Sequence, residues 1–219
     1  MRDATNMKDT VMAITGDVGA GKSTVAKLFE SLGGYLIDAD QVVAELWRTS
    51  QLTAAAVGRW GENILDEKGH VIHALVAERV FADQVEYDWL MGFIHPLVRV
   101  ELEGRVRRLR ENDQGWNDQD WIVVEIPLLF ETGVAPWVTT KVFVTAPRET
   151  RLERCRARGW DDAEMRKRES FFLPSQERIA RSDYVICNDS DIDALKKAVT
   201  EIYSKRNRRR DAFLVGDCF

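Results

Sequence analysis

No stretch of this 219-residue chain approaches the roughly 18 uninterrupted apolar residues of a membrane helix, which excludes a membrane-spanning reading. Cysteine is scarce, with three in all. Cys155, Cys187 and Cys218 show no metal-ligand spacing, which predicts reduced thiols in a cytoplasmic setting. Histidine is equally rare. His70 and His73 can share a helix face, but no cysteine or third histidine lies near them, so zinc is not expected. An excess of positive charge is missing too: a net charge of −5 gives no general support for nucleic-acid binding. The one basic run, Lys205 to Arg210, reads as a solvated helix end. Met1 to Thr10 is polar without a signal-peptide core and is expected to be a short disordered extension. There is no internal repeat, no low-complexity segment and no sign of an obligatory protein partner. What remains, 45% hydrophobic and 31% charged, is the composition of an ordinary globular protein long enough to bury a substantial core.

One stretch carries chemistry. Val11 to Thr15 is a short apolar run, enough for one buried strand. Gly16 to Ser23 then reads G-x-x-x-x-G-K-S, with Gly19 and Ala20 inside it and Thr24 just beyond. Val25, Ala26, Leu28, Phe29 and Leu32 follow at helical spacing. Gly16, Gly19 and Gly21 let the backbone curl so that its N–H groups converge on phosphate oxygens, and the helix N-terminus adds its positive end. Lys22 supplies a mobile charge for the β- and γ-phosphates, and Ser23 a hydroxyl ligand for Mg²⁺. The alternative is a chance glycine turn before an amphipathic helix; the strand in front and the helix behind argue against it. A bound nucleoside triphosphate is expected.

The rest of the chain alternates. Tyr35 to Ile37 reads as a second strand, followed by Asp38 and Asp40 and a helix over Gln41 to Arg48. In an open parallel sheet, ligands sit beyond the carboxyl ends of the strands, so both carboxylates are placed for chemistry. Serving only as helix caps is the other reading. Leu52 to Asn112 has a helical pattern broken at Asp66 to Gly69, and Pro96 is expected to kink or restart a helix at His95. Glu111 to Asp120 reads as a polar linker. Further strands are expected at Trp121 to Val124, Lys141 to Thr145 and Asp183 to Cys187, with helices from Arg148, over Asp162 to Glu169 and over Asp191 to Ser204. The expected fold is therefore α/β: a doubly wound, five-stranded parallel sheet. Its core comprises 11–51, 116–147 and 177–205, with a helical insertion at 52–115, an arginine-rich segment at 148–176 and a tail at 206–219.

A triphosphate site alone fits several functions. An Asn-Lys-x-Asp motif is absent, which argues against a GTPase. Arg151, Arg154 and Arg158 fall at three- and four-residue spacing on one helix face. They can close over the triphosphate, neutralise the transferring phosphoryl group and exclude water. A solvated arginine face is the plainer alternative.

Thr15 to Thr24, Ile37-Asp38-Ala39-Asp40, Ile94-His95-Pro96-Leu97-Val98-Arg99 and Ile126-Pro127-Leu128-Leu129-Phe130-Glu131-Thr132-Gly133 occur in the order seen in dephospho-coenzyme A kinases. Thr145 to Arg154 and Ser182 to Asn188 continue the likeness, so the chain resembles that family from about Val11 to Val199. The resemblance implies a fold similar to nucleoside monophosphate kinases, with a core, a helical acceptor domain and a lid. It also implies ATP-dependent phosphorylation of the ribose 3′-hydroxyl of dephospho-coenzyme A, the last step of coenzyme A synthesis. By motif, Asp40 would be the general base and, with Ser23, near the Mg²⁺. Lys22 and Arg154 would stabilise the transferring group, with Arg158 beside the nucleotide. Thr15 and Asp38 would support that shell. His95, Arg99, Leu128 and Glu131 would meet the acceptor, the cationic groups suiting its pyrophosphate. His95 as a cap of the Pro96 kink is the other reading.

Several positions depart from the family pattern. Asp17 replaces a second glycine and sets a carboxylate near a polyanion site. Gly159 stands for an Asp, Arg168 to Phe172 lacks the usual glutamine, and Ser190 replaces a glycine. The rival functions are a kinase of another small alcohol or nucleotide on the same scaffold, and a non-enzymatic nucleotide-binding switch.

Overall fold

A computed structural model describes residues 11–111, 121–205 and 213–215. It divides the chain into two compact units, residues 1–38 with 106–219, and residues 39–105.

The first unit is built on β1 (Val11–Gly16). Val11, Met12, Ala13 and Ile14 are all fully buried, as a strand covered on both faces requires. After it come α1 (Lys22–Ser31) and β2 (Tyr35–Asp38). The second unit then supplies α2 (Ala39–Leu46), α3 (Ser50–Trp60), α4 (His73–Ala82) and α5 (Gln84–Glu111), whose end from Val106 belongs to the first unit. The chain returns as β3 (Ile122–Glu125) and β4 (Thr140–Thr145). Three helices follow: α6 (Arg148–Arg156), α7 (Asp162–Glu169) and α8 (Ser175–Ala180). β5 (Tyr184–Cys187), α9 (Ile192–Lys205) and β6 (Phe213–Val215) complete it.

The sheet order is β2-β3-β1-β4-β5-β6, with every pairing parallel. The five expected strands are all present. β6 adds a sixth at the edge, three residues long and too short to stand out in the tail. β1 leads to β2 on one side and β4 to β5 on the other, so the carboxyl ends of β1 and β4 flank the crevice where such sheets bind ligands. On one face Met12, Ile14, Phe29, Trp121, Leu195, Val199 and Ile202 form the main core, with Phe29 edge-on to Trp121 at 5.4 Å.

The helical unit has its own core around Trp47, Leu52, Trp60, Ile64, Val76, Leu90 and Ile94. Glu86 fastens α3 to α5 by accepting from Trp60 Nε1 at 2.7 Å and from Arg59. Helix α2 starts at Ala39, two residues earlier than expected, so Asp40 lies in its first turn. The expected break at His95 does not restart the helix: α5 runs unbroken with Pro96 inside it. A proline costs one N–H and crowds the carbonyl four residues back, but its fixed φ is helical. Here that position is Gly92, and α5 runs through both residues.

Two other expectations change. Helix α8, after Pro174, carries no period long enough to be seen in the sequence. Among the described cysteines, Cys187 is disulfide-bonded and Cys155 is free and buried, with burial pushing its pKa up; Cys218 lies outside the described residues. Residues 112–120, the expected linker, lie outside the described residues, as do 1–10 and the basic run beyond Lys205. No helix among the described residues is long and apolar enough to cross a membrane.

Candidate active site

The glycine loop is shaped by contact with its neighbours. Gly16 has φ 151°, and a Cβ there would lie 2.0 Å from the Val144 carbonyl oxygen, so β1 and β4 come too close for any side chain. Gly21, the N-cap of α1, is left-handed at φ 90°, and a Cβ would sit 2.3 Å from Asn188 Nδ2. No side chain caps α1, and a helix N-terminus of this kind suits an anion.

Polar groups brace the loop's carbonyls. Arg151 Nη1 donates to Val18 O at 3.2 Å, and Arg178 Nη1 to Gly16 O at 3.2 Å. Arg154 Nη1 and Asn188 Nδ2 both donate to Ala20 O, at 3.1 and 2.8 Å, and Arg154 Nη2 donates to Asn188 O. Lys22 Nζ is folded back onto Asp17 O at 3.0 Å and Gly16 O at 3.4 Å.

Of the three arginines expected to close over the nucleotide, Arg151 and Arg154 reach the loop. Arg151 is also ion-paired with Glu169. Arg158 does neither: α6 ends at Arg156, Gly159 at φ 80° turns the chain, and Arg158 is exposed.

Acidic groups gather at the same sheet edge. Register pairs Asp38 on β2 with Glu125 on β3, beside Ile14 on β1. Glu125 is 5% exposed and accepts from Ser23 Oγ at 3.0 Å. Thr15 is fully buried, with its hydroxyl donating to Pro127 O at 3.0 Å, so it orders the loop after β3 instead of facing solvent. In that loop Leu128 is half-buried, and Glu131 Oε1 accepts from Leu173 N at 2.9 Å, which commits one of its oxygens to the chain before α8. Asp17 does not confront the anion site. Its carboxylate is buried and pairs with Arg178 at 2.7 Å.

The remaining expected residues belong to the helical unit. Asp40 is exposed in the first turn of α2, two residues beyond Asp38 in the chain. His95 and Arg99 are four apart on α5 and share a face. Burial lowers the His95 pKa from its ordinary 6.5, which favours the neutral imidazole. Sequence reasoning missed Glu125, Asn188 and Arg178. The first could have been found by applying to the end of β3 the argument used for Asp38.

A phosphate loop with its lysine held ready, braced by Arg154, leaves the family open. The family model for dephospho-CoA kinase matches residues 10–194. The chain belongs to the dephospho-CoA kinase family. The family catalyses the final step of CoA biosynthesis, and its P-loop kinase fold implies ATP as the nucleotide. A dephospho-CoA kinase from Methylococcus capsulatus is 34% identical over 197 residues, covering 89% of this chain and 96% of that protein. A solved structure from Thermus thermophilus superposes with a TM-score of 0.65 at 28% identity, covering 90% of this chain and 97% of that one. The dephospho-CoA kinase of Campylobacter jejuni, with a TM-score of 0.63 at 20% identity and covering 89% of this chain and 96% of that one, shares the fold.

Proposed function

We propose that this chain transfers the γ-phosphoryl group of ATP to the ribose 3′-hydroxyl of dephospho-CoA, giving CoA and ADP. The observation that carries the reading is the convergence of Lys22, Ser23, Arg154 and Glu125 on one glycine loop at the carboxyl edge of the sheet. Phosphoryl transfer needs little covalent help from a protein; it needs positioning and charge stabilisation.

In this reading the loop amides and the α1 N-terminus hold the triphosphate. Lys22 leaves the Gly16 and Asp17 carbonyls for the β- and γ-phosphates. Arg154, already on Ala20 O, stabilises charge on the transferring group. Asp40 takes the proton of the attacking hydroxyl, and Asp38 supports that end of β2. Arg99 supplies positive charge to the acceptor's pyrophosphate, and neutral His95 a hydrogen bond.

The donor set suits Mg²⁺. Ser23 and Glu125 offer only oxygen. Mg²⁺ asks for this: one or two protein oxygens, the rest coming from phosphates and water. Bound there, it would supply positive charge against the phosphates. Ser23 would be its hydroxyl ligand, with the Glu125 carboxylate holding that hydroxyl.

The test is the identity of the product. Incubation with ATP and a panel of nucleotide and alcohol acceptors, followed by mass spectrometry, should yield CoA from dephospho-CoA in preference to any other phosphorylated product. A different preferred acceptor would overturn the substrate.

A further inference from the structure

A carboxylate inside a loop built for anions needs a cation of its own. Asp17 is 4% exposed and its partner Arg178 is 3% exposed. Asp17 Oδ1 accepts from Arg178 Nη2 and from Ser175 Oγ, each at 2.7 Å, and Oδ2 accepts from Thr145 Oγ1 at 2.7 Å. The guanidinium is fully engaged. Nη1 donates to Gly16 O at 3.2 Å and Nε to Leu173 O at 2.9 Å, while the group lies 5.0 Å from the ring centres of both Phe143 and Phe172. The peptide of Leu173 also donates to Glu131. One arginine thus joins the phosphate loop to the chain before α8 and, through it, to the loop after β3.

Gly16 O and Asp17 O are also the two oxygens on which Lys22 Nζ rests. A triphosphate draws Lys22 off them. The Gly16 carbonyl then keeps its bond to Arg178, and the Asp17 side chain keeps its three donors, so the start of the loop does not relax when the lysine departs.

We propose that Arg178, anchored by Asp17, is a positioning residue for triphosphate binding: it holds the Gly16–Asp17 end of the loop in its binding shape while Lys22 moves to the phosphates. The proposal rests on the ATP-dependent reading above. Arg178 sits behind the loop and takes no part in the chemistry.

The test is calorimetric affinity for a non-hydrolysable ATP analogue with Mg²⁺ present and no acceptor, on the full chain. Removing Arg178 alone would strand a buried carboxylate and threaten the fold. The Asp17→Asn, Arg178→Met double variant removes both charges together. Arg178→Lys keeps the charge, but an ammonium cannot span Asp17, Gly16 O and Leu173 O in the arginine's fork geometry. Both variants should melt cooperatively and bind the analogue on the order of tenfold more weakly. KM for ATP should rise in parallel while KM for the acceptor does not, a split that general damage to the fold would not produce. Wild-type affinity in the double variant overturns the proposal, as does an equal rise in both KM values. If the double variant does not fold, Arg178→Lys decides alone, with unchanged affinity counting against. Should the unaltered chain bind the analogue yet phosphorylate no dephospho-CoA, the reaction reading fails while this comparison still stands or falls on its own.

Discussion

The Ser23 hydroxyl donates to Glu125 Oε1 across 3.0 Å, from the first turn of α1 to the end of β3. Donating its proton there leaves the oxygen lone pairs of Ser23 for a cation. Glu125 therefore orients the hydroxyl as well as adding charge. Glu125→Gln keeps the shape, but removes the charge and makes the donor–acceptor choice ambiguous. We expect a loss of roughly 10- to 100-fold in activity at limiting Mg²⁺, the usual scale for a partner behind a metal ligand. A Mg²⁺ titration of initial rate should show the midpoint moving to higher concentration; an unmoved midpoint would remove Glu125 from this role.

Asp40 carries a separate expectation. As the base for a neutral hydroxyl, its loss as Asp40→Asn should lower kcat by roughly a hundred- to ten-thousand-fold. ATP affinity, set by the loop and α1, should change little. Steady-state kinetics beside equilibrium ATP binding separate the two, and near-normal kcat would exclude Asp40 as the base.

His95 makes stability depend on pH. Burial holds its folded pKa below 6.5, so the unfolded chain binds this proton at higher pH than the folded one. The contribution is therefore intact above the unfolded value and is lost as pH falls through it toward the folded value. Thermal melts at about pH 7.5 and about pH 5.5 should show a larger drop in Tm for the unaltered chain than for His95→Gln. Equal drops would mean that His95 is not the titrating group.

Much of this is legible in the sequence. The apolar run before Gly16 placed β1 to within a residue, and the period after Lys22 showed a helix behind the loop, because buried strands and amphipathic helices leave strong local patterns. The expected span of α7, Asp162–Glu169, matches the observed helix, whose Asp161 side chain accepts from Glu164 N as a cap. What was not legible depends on distant partners. Arg178 sits on a six-residue helix and gains its meaning from Asp17, far away in the chain. Asp17 itself read only as a carboxylate near a polyanion site, because its cation could not be seen. Pro96 read as a kink or restart of the helix, and the restart does not occur. Arg158 shared a face with Arg151 and Arg154 on paper, yet α6 stops short of it.

The most direct test of the account is ADP release by the purified chain with ATP and Mg²⁺, measured with and without dephospho-CoA. The account predicts ADP formation that depends on dephospho-CoA and matches CoA produced mole for mole. ADP released equally without the acceptor, or no turnover while ATP still binds, would contradict it.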